Sequence, residues 1–194
     1  MDAFRNCLAL LLVMVTPIVF VLWLSVHPFA GFWRRWGITV TLAVHSLVVV
    51  AMAAGIYLIR ARVLAVDFGT YPLLILPAIP LGIAATALTR ARGRQLGLRV
   101  LLGFPEVEPS QYPGRLVTAG IYSRVRHPRY AEVFLYLLTS AILANYLAGY
   151  LAVATYLAGL PVIVWVEEQE LKQRFGGEYE QYARRVPRFI PKFR

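Results

Sequence analysis

Charged residues are scarce in this 194-residue chain, and their scarcity argues against an ordinary soluble domain. Only 15% of the residues are charged, whereas about 25% is usual in soluble domains. Hydrophobic residues make up 59% of the chain, and the mean hydropathy is +0.61. So much apolar surface excludes intrinsic disorder. The single cysteine, Cys7, excludes a disulfide-stabilised scaffold.

Four stretches carry no charged side chain and are long enough to cross a membrane, which takes about 20 apolar residues. They are Asn6–Trp33, Trp36–Ile59, Phe68–Thr89 and Val133–Val166. As one helix the fourth would extend about 51 Å, which overshoots a bilayer, and Asn145 and Gly149 predict a turn within it. The first stretch lacks the short apolar core and cleavage site of a signal peptide. The sequence therefore predicts an all-α integral membrane protein with five transmembrane helices, the last two forming a tight helical hairpin.

The basic residues predict the orientation of the chain. The net charge is +10, from 20 basic and 10 acidic residues. With five spans, 17 basic residues lie on one side, in the loop at Arg34 and Arg35, the segment 90–132 and the C-terminal tail. The positive-inside rule places that side in the cytoplasm and the N-terminus outside. Orientation and anionic lipid headgroups thus account for the charge, and neither nucleic acid nor an obligate protein partner is expected.

The chain divides into two parts. Residues 1–99 hold three N-terminal transmembrane helices and their loops. Residues 100–194 hold a polar connector, the hairpin and a tail that contains a short amphipathic cytoplasmic helix. Arginine outnumbers lysine by 18 to 2, which favours a prokaryotic plasma membrane; in a eukaryote we would expect the endoplasmic reticulum membrane.

A first cluster of functional candidates spans residues 122–130. Pro128 suits the first position of a helix, which makes His127 the N-cap. The start of a helix next to arginines forms an anion site. These arginines could instead serve only as membrane anchors, but the added histidine and tyrosines favour a ligand site.

A second cluster, residues 167–187, begins where the last span ends. Three acids, Glu167, Glu168 and Glu170, lie directly at the end of that span. Acids gain nothing from the helix dipole at a C-terminal helix end, and they work against an anionic membrane surface. Surface ion pairs are one explanation for them. Alternatively, the hairpin brings both clusters together in a pocket at the membrane boundary. Such a pocket suits a zwitterionic ligand whose cationic centre rests on tyrosine faces.

These residues resemble the isoprenylcysteine carboxyl methyltransferase family, its prokaryotic members and the related phospholipid methyltransferases. The resemblance rests on Leu-Val-Thr-x-Gly-x-Tyr at residues 116–122, on Arg-His-Pro-x-Tyr at 126–130, and on the C-terminal signature within 167–187. It implies S-adenosyl-L-methionine as methyl donor and a lipophilic acceptor, either a small molecule or a lipid, that enters from the bilayer. No metal is expected. The residues that would bind the cofactor are Tyr122, Arg126, His127, Pro128, Tyr130, Glu167, Glu168 and Tyr179.

Specific roles follow from the same resemblance. Arg126 would bind the methionyl carboxylate, and Glu167 or Glu168 the ammonium or ribose hydroxyls, in an order that the sequence leaves open. The catalytic candidates are Glu168, Arg185, which could orient an acceptor carboxylate, and Glu132. The family usually has glycine at the position of Glu132. The glutamate therefore predicts either disturbed helix packing or an acid near the acceptor.

The expected reaction is methylation of a lipophilic carboxylate. Three alternatives remain: an amine or phospholipid N-methyltransferase, an NADPH enzyme of the sterol-reductase type, and an inactive membrane protein. The short tail and the intact Glu-Glu pair disfavour the reductase. A soluble-type methyltransferase is excluded, because the sequence has no glycine-rich strand–turn–helix pattern.

Overall fold

The computed structural model describes residues 2–96, 103–112 and 114–191, and the secondary structure of these residues is helical. The all-α class is therefore confirmed. Two 3₁₀ turns, Pro72–Leu74 and Gly120–Ser123, accompany the α-helices. The α-helices are α1 (Asp2–Val26), α2 (Ala30–Leu58), α3 (Arg60–Val63), α4 (Ile75–Gly93), α5 (Phe104–Val107), α6 (Pro128–Ala144), α7 (Leu147–Phe175) and α8 (Gly177–Arg185).

Four helical segments in the described part of the chain are long and apolar enough to cross a membrane. They are α1, α2, α7 and the segment Pro72–Gly93, which joins the first 3₁₀ turn to α4. Large apolar side chains such as Leu47, Ile83 and Trp165 are exposed on their outer surfaces. A soluble monomer rarely exposes extended apolar patches of this kind. The chain is therefore an integral membrane protein.

The predicted loop at Arg34 and Arg35 is wrong. The chain turns earlier, at residues 27–29, and both arginines lie in the first turns of α2. The helical backbone is interrupted only afterwards, at Gly37, whose φ is +73°. Glycine tolerates this conformation, and arginine is itself a good helix former. Charge alone therefore placed the loop several residues too late.

The core forms where α1, α6 and α7 meet. Leu12 of α1 packs with Leu137 and Ala141 of α6 and with Tyr156 of α7, and each of these side chains is buried. Gly149 of α7 lies at the contact with α6, where a Cβ would meet the Cα of Ala141 at 3.5 Å, an ordinary van der Waals distance. Small residues at helix contacts are typical of membrane proteins.

Two residues, Asn145 and Tyr146, connect α6 to α7. Asn145 has a φ of +56°, the left-handed conformation that asparagine tolerates better than most residues. Arg5 from α1 donates through Nε to the carbonyl of Ala144 at 2.9 Å and also pairs with Asp67. These contacts fix the end of the helix pair that lies opposite the charged clusters.

Helices α4 and α6 pack against each other through a buried ion pair. The Nε atom of Arg92 lies 2.6 Å from Oε2 of Glu132, and Nη2 lies 3.1 Å from Oε1. Thr89 also donates its hydroxyl to Glu132 at 2.9 Å. The expected disturbance of packing by Glu132 is thus absent at this contact, because Arg92 compensates the charge that the helix pair buries.

Candidate active site

A cavity of about 620 Å³ lies where α1, α2, α6, α7, α8 and the connector meet. Cavities of 300–1,000 Å³ typically hold cofactors or small ligands. Seven of the eight expected cofactor-binding residues line this cavity: Tyr122, Arg126, His127, Pro128, Tyr130, Glu167 and Tyr179. The eighth, Glu168, lies behind His127, with one of its carboxylate oxygens 3.1 Å from the imidazole. The structure thus brings together the two charged clusters that the sequence places about 40 residues apart.

The start of α6 carries the first cluster. His127 is the N-cap and Pro128 occupies the first turn, as predicted. The backbone N–H groups of Arg126 and His127 donate to the carbonyls of Pro187 and Arg188, at 2.8 and 3.0 Å. The segment after α8 is thereby fixed against the start of α6.

Glu168 connects three cationic side chains. Its Oε1 atom accepts from His127 Nε2 at 3.1 Å and lies 3.0 Å from Nη1 of Arg126. Arg188 contacts both carboxylate oxygens, through Nε at 3.0 Å and Nη2 at 2.7 Å. Only 4% of Glu168 is exposed. A buried carboxylate held this way is compensated by its partners and therefore organises the wall of the cavity.

Glu167 is the carboxylate that faces the cavity. Its Oε2 atom accepts a 2.5 Å hydrogen bond from the Tyr130 hydroxyl, and Nδ1 of His127 lies 3.6 Å away. Its side chain remains 27% exposed, against 5% for that of Glu168. Of the two glutamates that the sequence left unordered, the geometry favours Glu167 for contact with a ligand.

The histidine between these carboxylates holds its proton tightly. Burial lowers the pKa of His127, but hydrogen bonds to Glu167 and Glu168 outweigh burial, and the pKa rises above its ordinary value. In the protonated form both ring nitrogens donate. The two glutamates therefore favour the protonated form of His127, which makes it less suited to accept a proton from a substrate.

The tyrosines of the cavity stay protonated. Burial and the nearby Glu168 carboxylate raise the pKa of Tyr179 to about 12. Burial also raises the pKa values of Tyr122 and Tyr182. Tyr182 is additionally held by a 2.7 Å hydrogen bond from its hydroxyl to the carbonyl of Tyr122, which ties α8 to the first cluster. These phenols can therefore offer hydrogen bonds and ring faces, but not a base.

Arg126 keeps one donor unused. Its Nη1 atom lies 3.3 Å from the Tyr179 hydroxyl and 3.0 Å from Glu168. Its Nε atom is buried and has no hydrogen-bond partner in the described parts of the chain. Buried polar groups are nearly always paired, so an unpaired N–H on a residue that lines the cavity marks a candidate for binding an anion.

The remaining wall is aromatic and apolar. Trp23 of α1 meets Tyr130 edge-to-face at 6.3 Å, and the rings of Tyr179 and Tyr182 lie 6.2 Å apart. Apolar side chains of α1 and α2 line the cavity too: Leu22, Val26 and Leu42. His45 of α2 also lines it and is held by Ser25 of α1, with 2.7 Å between Nε2 and the hydroxyl. The cavity thus combines a charged end with an apolar wall.

None of the three catalytic candidates lines the cavity: Glu168 lies behind His127, and Arg185 and Glu132 lie farther off. Arg185 is exposed on α8 and donates through Nε to the carbonyl of Gln181 at 3.2 Å. Glu132 is held by Arg92 between α4 and α6. Neither residue lines the cavity, so the structure does not support direct contact with an acceptor there.

Three residues of the site were missed from the sequence. Arg129 and Trp23 line the cavity, and Arg188 holds Glu168. Arg129 fills the unspecified position of Arg-His-Pro-x-Tyr, and Arg188 follows the last residue of the C-terminal signature. For Arg129 and Arg188, the position beside a motif was the only signal in the sequence. Trp23 lies in an apolar span, and nothing in the sequence distinguished it from its neighbours.

The C-terminal part of the chain, which supplies most of the residues that line this cavity, is similar to known proteins. Residues 101–178 match the phospholipid methyltransferase family. The protein-S-isoprenylcysteine O-methyltransferase of Schizosaccharomyces pombe is 39% identical over 77 residues, which are 39% of this chain and 33% of that protein. The protein-S-isoprenylcysteine O-methyltransferase B of Arabidopsis thaliana is 36% identical over 86 residues, 40% of each chain.

The resemblance to isoprenylcysteine methyltransferases is confirmed. It holds for the C-terminal part of the chain, where α6, α7 and the start of α8 carry the two clusters. The matches span only about a third to two fifths of the length of these relatives. The region of similarity and the walls of the cavity largely coincide.

Proposed function

We propose that this chain is a membrane methyltransferase that uses S-adenosyl-L-methionine to methylate a carboxylate on a lipophilic acceptor. The observation that carries the proposal is the cavity between α6 and α7. Arg126, which has an unpaired Nε, and the partly exposed carboxylate of Glu167 line the same cavity. Both residues lie in the region that matches methyltransferases.

The chemistry of the cavity fits the proposed cofactor. S-adenosyl-L-methionine carries a carboxylate, an ammonium and a sulfonium. Arg126 would hold the carboxylate, and Glu167 the ammonium or a ribose hydroxyl. The ring faces of Trp23, Tyr130 and Tyr179 can attract a sulfonium. When bound, the cofactor supplies an electrophilic methyl group.

The residues of the chain orient the cofactor and the acceptor rather than transfer protons. Methylation forms a C–O bond and breaks a C–S bond, whose electron pair remains on sulfur; the carboxylate and sulfonium charges cancel, and no proton moves. Orientation of the two reactants can supply several kcal/mol of the barrier. An amine acceptor would need to lose a proton first. The raised pKa values of His127 and Tyr179 favour the protonated form of each group, and this supports a carboxylate acceptor, which needs no base.

The membrane arrangement is part of the proposal. We infer that α6 is a fifth span, so that α6 and α7 form a hairpin in the bilayer. Its 17 residues extend about 26 Å, slightly short of a 30 Å hydrocarbon core. The N-terminus is then outside and the cavity at the cytoplasmic face. Residues 1–99 supply three supporting spans, and residues 100–194 form the methyltransferase core.

The proposal is tested with the full chain in lipid nanodiscs. Calorimetry measures the binding of S-adenosylhomocysteine, and labelled methyl transfer is assayed with N-acetyl-S-farnesylcysteine and with phosphatidylethanolamine. We expect binding, and base-labile methyl ester on the carboxylate probe. Combined Arg126→Gln and Glu167→Gln substitutions should weaken binding by at least tenfold, as expected for the loss of hydrogen bonds to charged groups, each worth about 1.5–3 kcal/mol. Undiminished binding would sink the cofactor assignment, and label found only in phosphatidylethanolamine would replace the carboxylate with an amine.

A further inference from the structure

Arg129 places a guanidinium in the cavity without an anionic partner. It is the second residue of α6, and its guanidinium carbon lies 4.1 Å from the centre of the Trp23 ring. Its side chain lines the cavity. Within the described parts of the chain it makes no hydrogen bond or ion pair, and stacking on Trp23 is its recorded contact. Arginine presents five N–H donors and keeps its charge at any physiological pH.

The neighbouring carboxylates are already engaged. Glu168 is held by Arg126, His127 and Arg188. Glu132 is held by Arg92. Glu167 accepts from Tyr130 and lies beside His127. A charged group that is largely shielded from water and lacks a partner is costly, so an anion that the described residues do not supply would complete the surroundings of Arg129.

The surroundings indicate which anion this is. The wall near Trp23 continues into Leu22 and Val26 of α1 and Leu42 of α2, helices that are long and apolar enough to cross the membrane. A ligand that reaches Arg129 along this wall therefore carries an apolar chain. Stacking on the Trp23 indole orients the planar guanidinium of Arg129 before a ligand binds. This orientation suits a bidentate contact with a carboxylate.

We propose that Arg129 binds the carboxylate of the lipophilic methyl acceptor and orients it for transfer. The inference rests on the proposed function and adds the residue that recognises the acceptor. Arg126 and Glu167 then serve the cofactor, and Arg129 serves the acceptor, from the same end of α6. Arg129 also takes the role that the sequence assigned to Arg185.

The test compares N-acetyl-S-farnesylcysteine with its carboxamide, which differs only in the charged group. Binding of each probe to the full chain in nanodiscs is measured by calorimetry, with and without S-adenosylhomocysteine. The unsubstituted protein should prefer the carboxylate by about tenfold or more, as expected for a hydrogen-bonded charge pair. Arg129→Gln should bind both probes with similar affinity, and Arg129→Lys, which keeps the charge but loses the planar fork, should show an intermediate preference.

Arg124→Gln is the matched control, because Arg124 is exposed and lies outside the cavity. It should behave like the unsubstituted protein. Affinity for S-adenosylhomocysteine should stay within about twofold in Arg129→Gln, and this shows that the variant is folded. For turnover, KM for the acceptor should rise more than kcat falls.

Three outcomes overturn the inference. The first is a carboxylate preference that survives in Arg129→Gln. The second is a parallel loss of S-adenosylhomocysteine binding in Arg129→Gln and Arg129→Lys, which would assign Arg129 to the cofactor. The third is stronger binding of oleoyl lysophosphatidate than of the carboxylate, lost on substitution, which would assign Arg129 to a lipid phosphate. If the unsubstituted protein fails to bind S-adenosylhomocysteine, the proposed function fails. The comparison of N-acetyl-S-farnesylcysteine with its carboxamide, made without S-adenosylhomocysteine, still decides whether Arg129 binds the carboxylate.

Discussion

The imidazole of His127 lies between Glu167 and Glu168 of α7, with its Nε2 atom 3.1 Å from Oε1 of Glu168. This contact joins the start of α6 to the cavity end of α7. Arg188 approaches the same carboxylate from the C-terminal segment. Three separate stretches of chain therefore depend on one buried negative charge.

Replacing Glu168 with glutamine should destabilise the protein strongly. The change leaves Arg126 and His127 without their shared counter-charge, and breaking a buried ion pair from one side costs about 3–5 kcal/mol. The free energy of unfolding, measured by denaturant titration in detergent, is the readout. Glu180→Gln on the exposed face of α8 is the control and should change stability by less than about 0.5 kcal/mol. Equal midpoints for the two variants would contradict a central role for Glu168.

Stability should depend on pH through His127. Because the folded pKa is raised above the ordinary value of 6.5, protonation favours the folded state. The stabilisation is complete below about pH 6.5 and is lost as the pH rises through the folded pKa. Melting temperatures from pH 6 to pH 9 should therefore fall more steeply for the unsubstituted protein than for His127→Asn. Parallel curves would show that the histidine does not titrate between its glutamates.

The Arg92–Glu132 pair should behave as a structural contact. Arg92→Met and Glu132→Leu should each destabilise by about 3–5 kcal/mol, and the double variant should recover most of that loss, because an apolar pair of similar volume often replaces a buried ion pair without cost. Methyl transfer by the double variant should remain within a few-fold of the unsubstituted rate. A catalytic role for Glu132, as the sequence suggested, would instead appear as lost turnover in a stable double variant.

The proposed five spans place the two ends of the described chain on opposite sides of the membrane. In a Cys7→Ala background, Asp2→Cys should react with an impermeant maleimide in intact cells. Glu180→Cys should react only after permeabilisation. Both positions are exposed in the structure, so access depends on the membrane alone. If both cysteines react from the same side of the membrane, an odd number of spans is excluded. If Glu180→Cys reacts in intact cells and Asp2→Cys only after permeabilisation, the orientation is the opposite of the one proposed.

The sequence predicted the helices better than their boundaries. Long uncharged runs located α1, α2, α4 and α7, because charge is excluded from a bilayer core. The loop at Arg34 and Arg35 was misplaced because arginine fits a helix end as readily as a loop. The turn lies earlier, at residues 27–29, and the later kink at Gly37 depends on a backbone conformation that composition does not reveal.

For the site, residues within motifs were predictable and their partners were not. His127 and Glu167 stand in recognisable patterns, and the structure places both on the cavity. Trp23 reaches Arg129 from a helix about 100 residues away in sequence. Arg92 likewise pairs with Glu132 across 40 residues. Such long-range contacts depend on how helices pack, which a single sequence does not encode in any local pattern.

The main-chain hydrogen bonds from Arg126 and His127 to Pro187 and Arg188 couple the C-terminal segment to the start of α6. Backbone groups form these bonds, so side-chain substitutions at 187 and 188 leave their donors and acceptors in place. The side chain of Arg188 adds an ion pair with Glu168. Detachment of this segment from α6 would therefore break the main-chain bonds and the Arg188–Glu168 ion pair together.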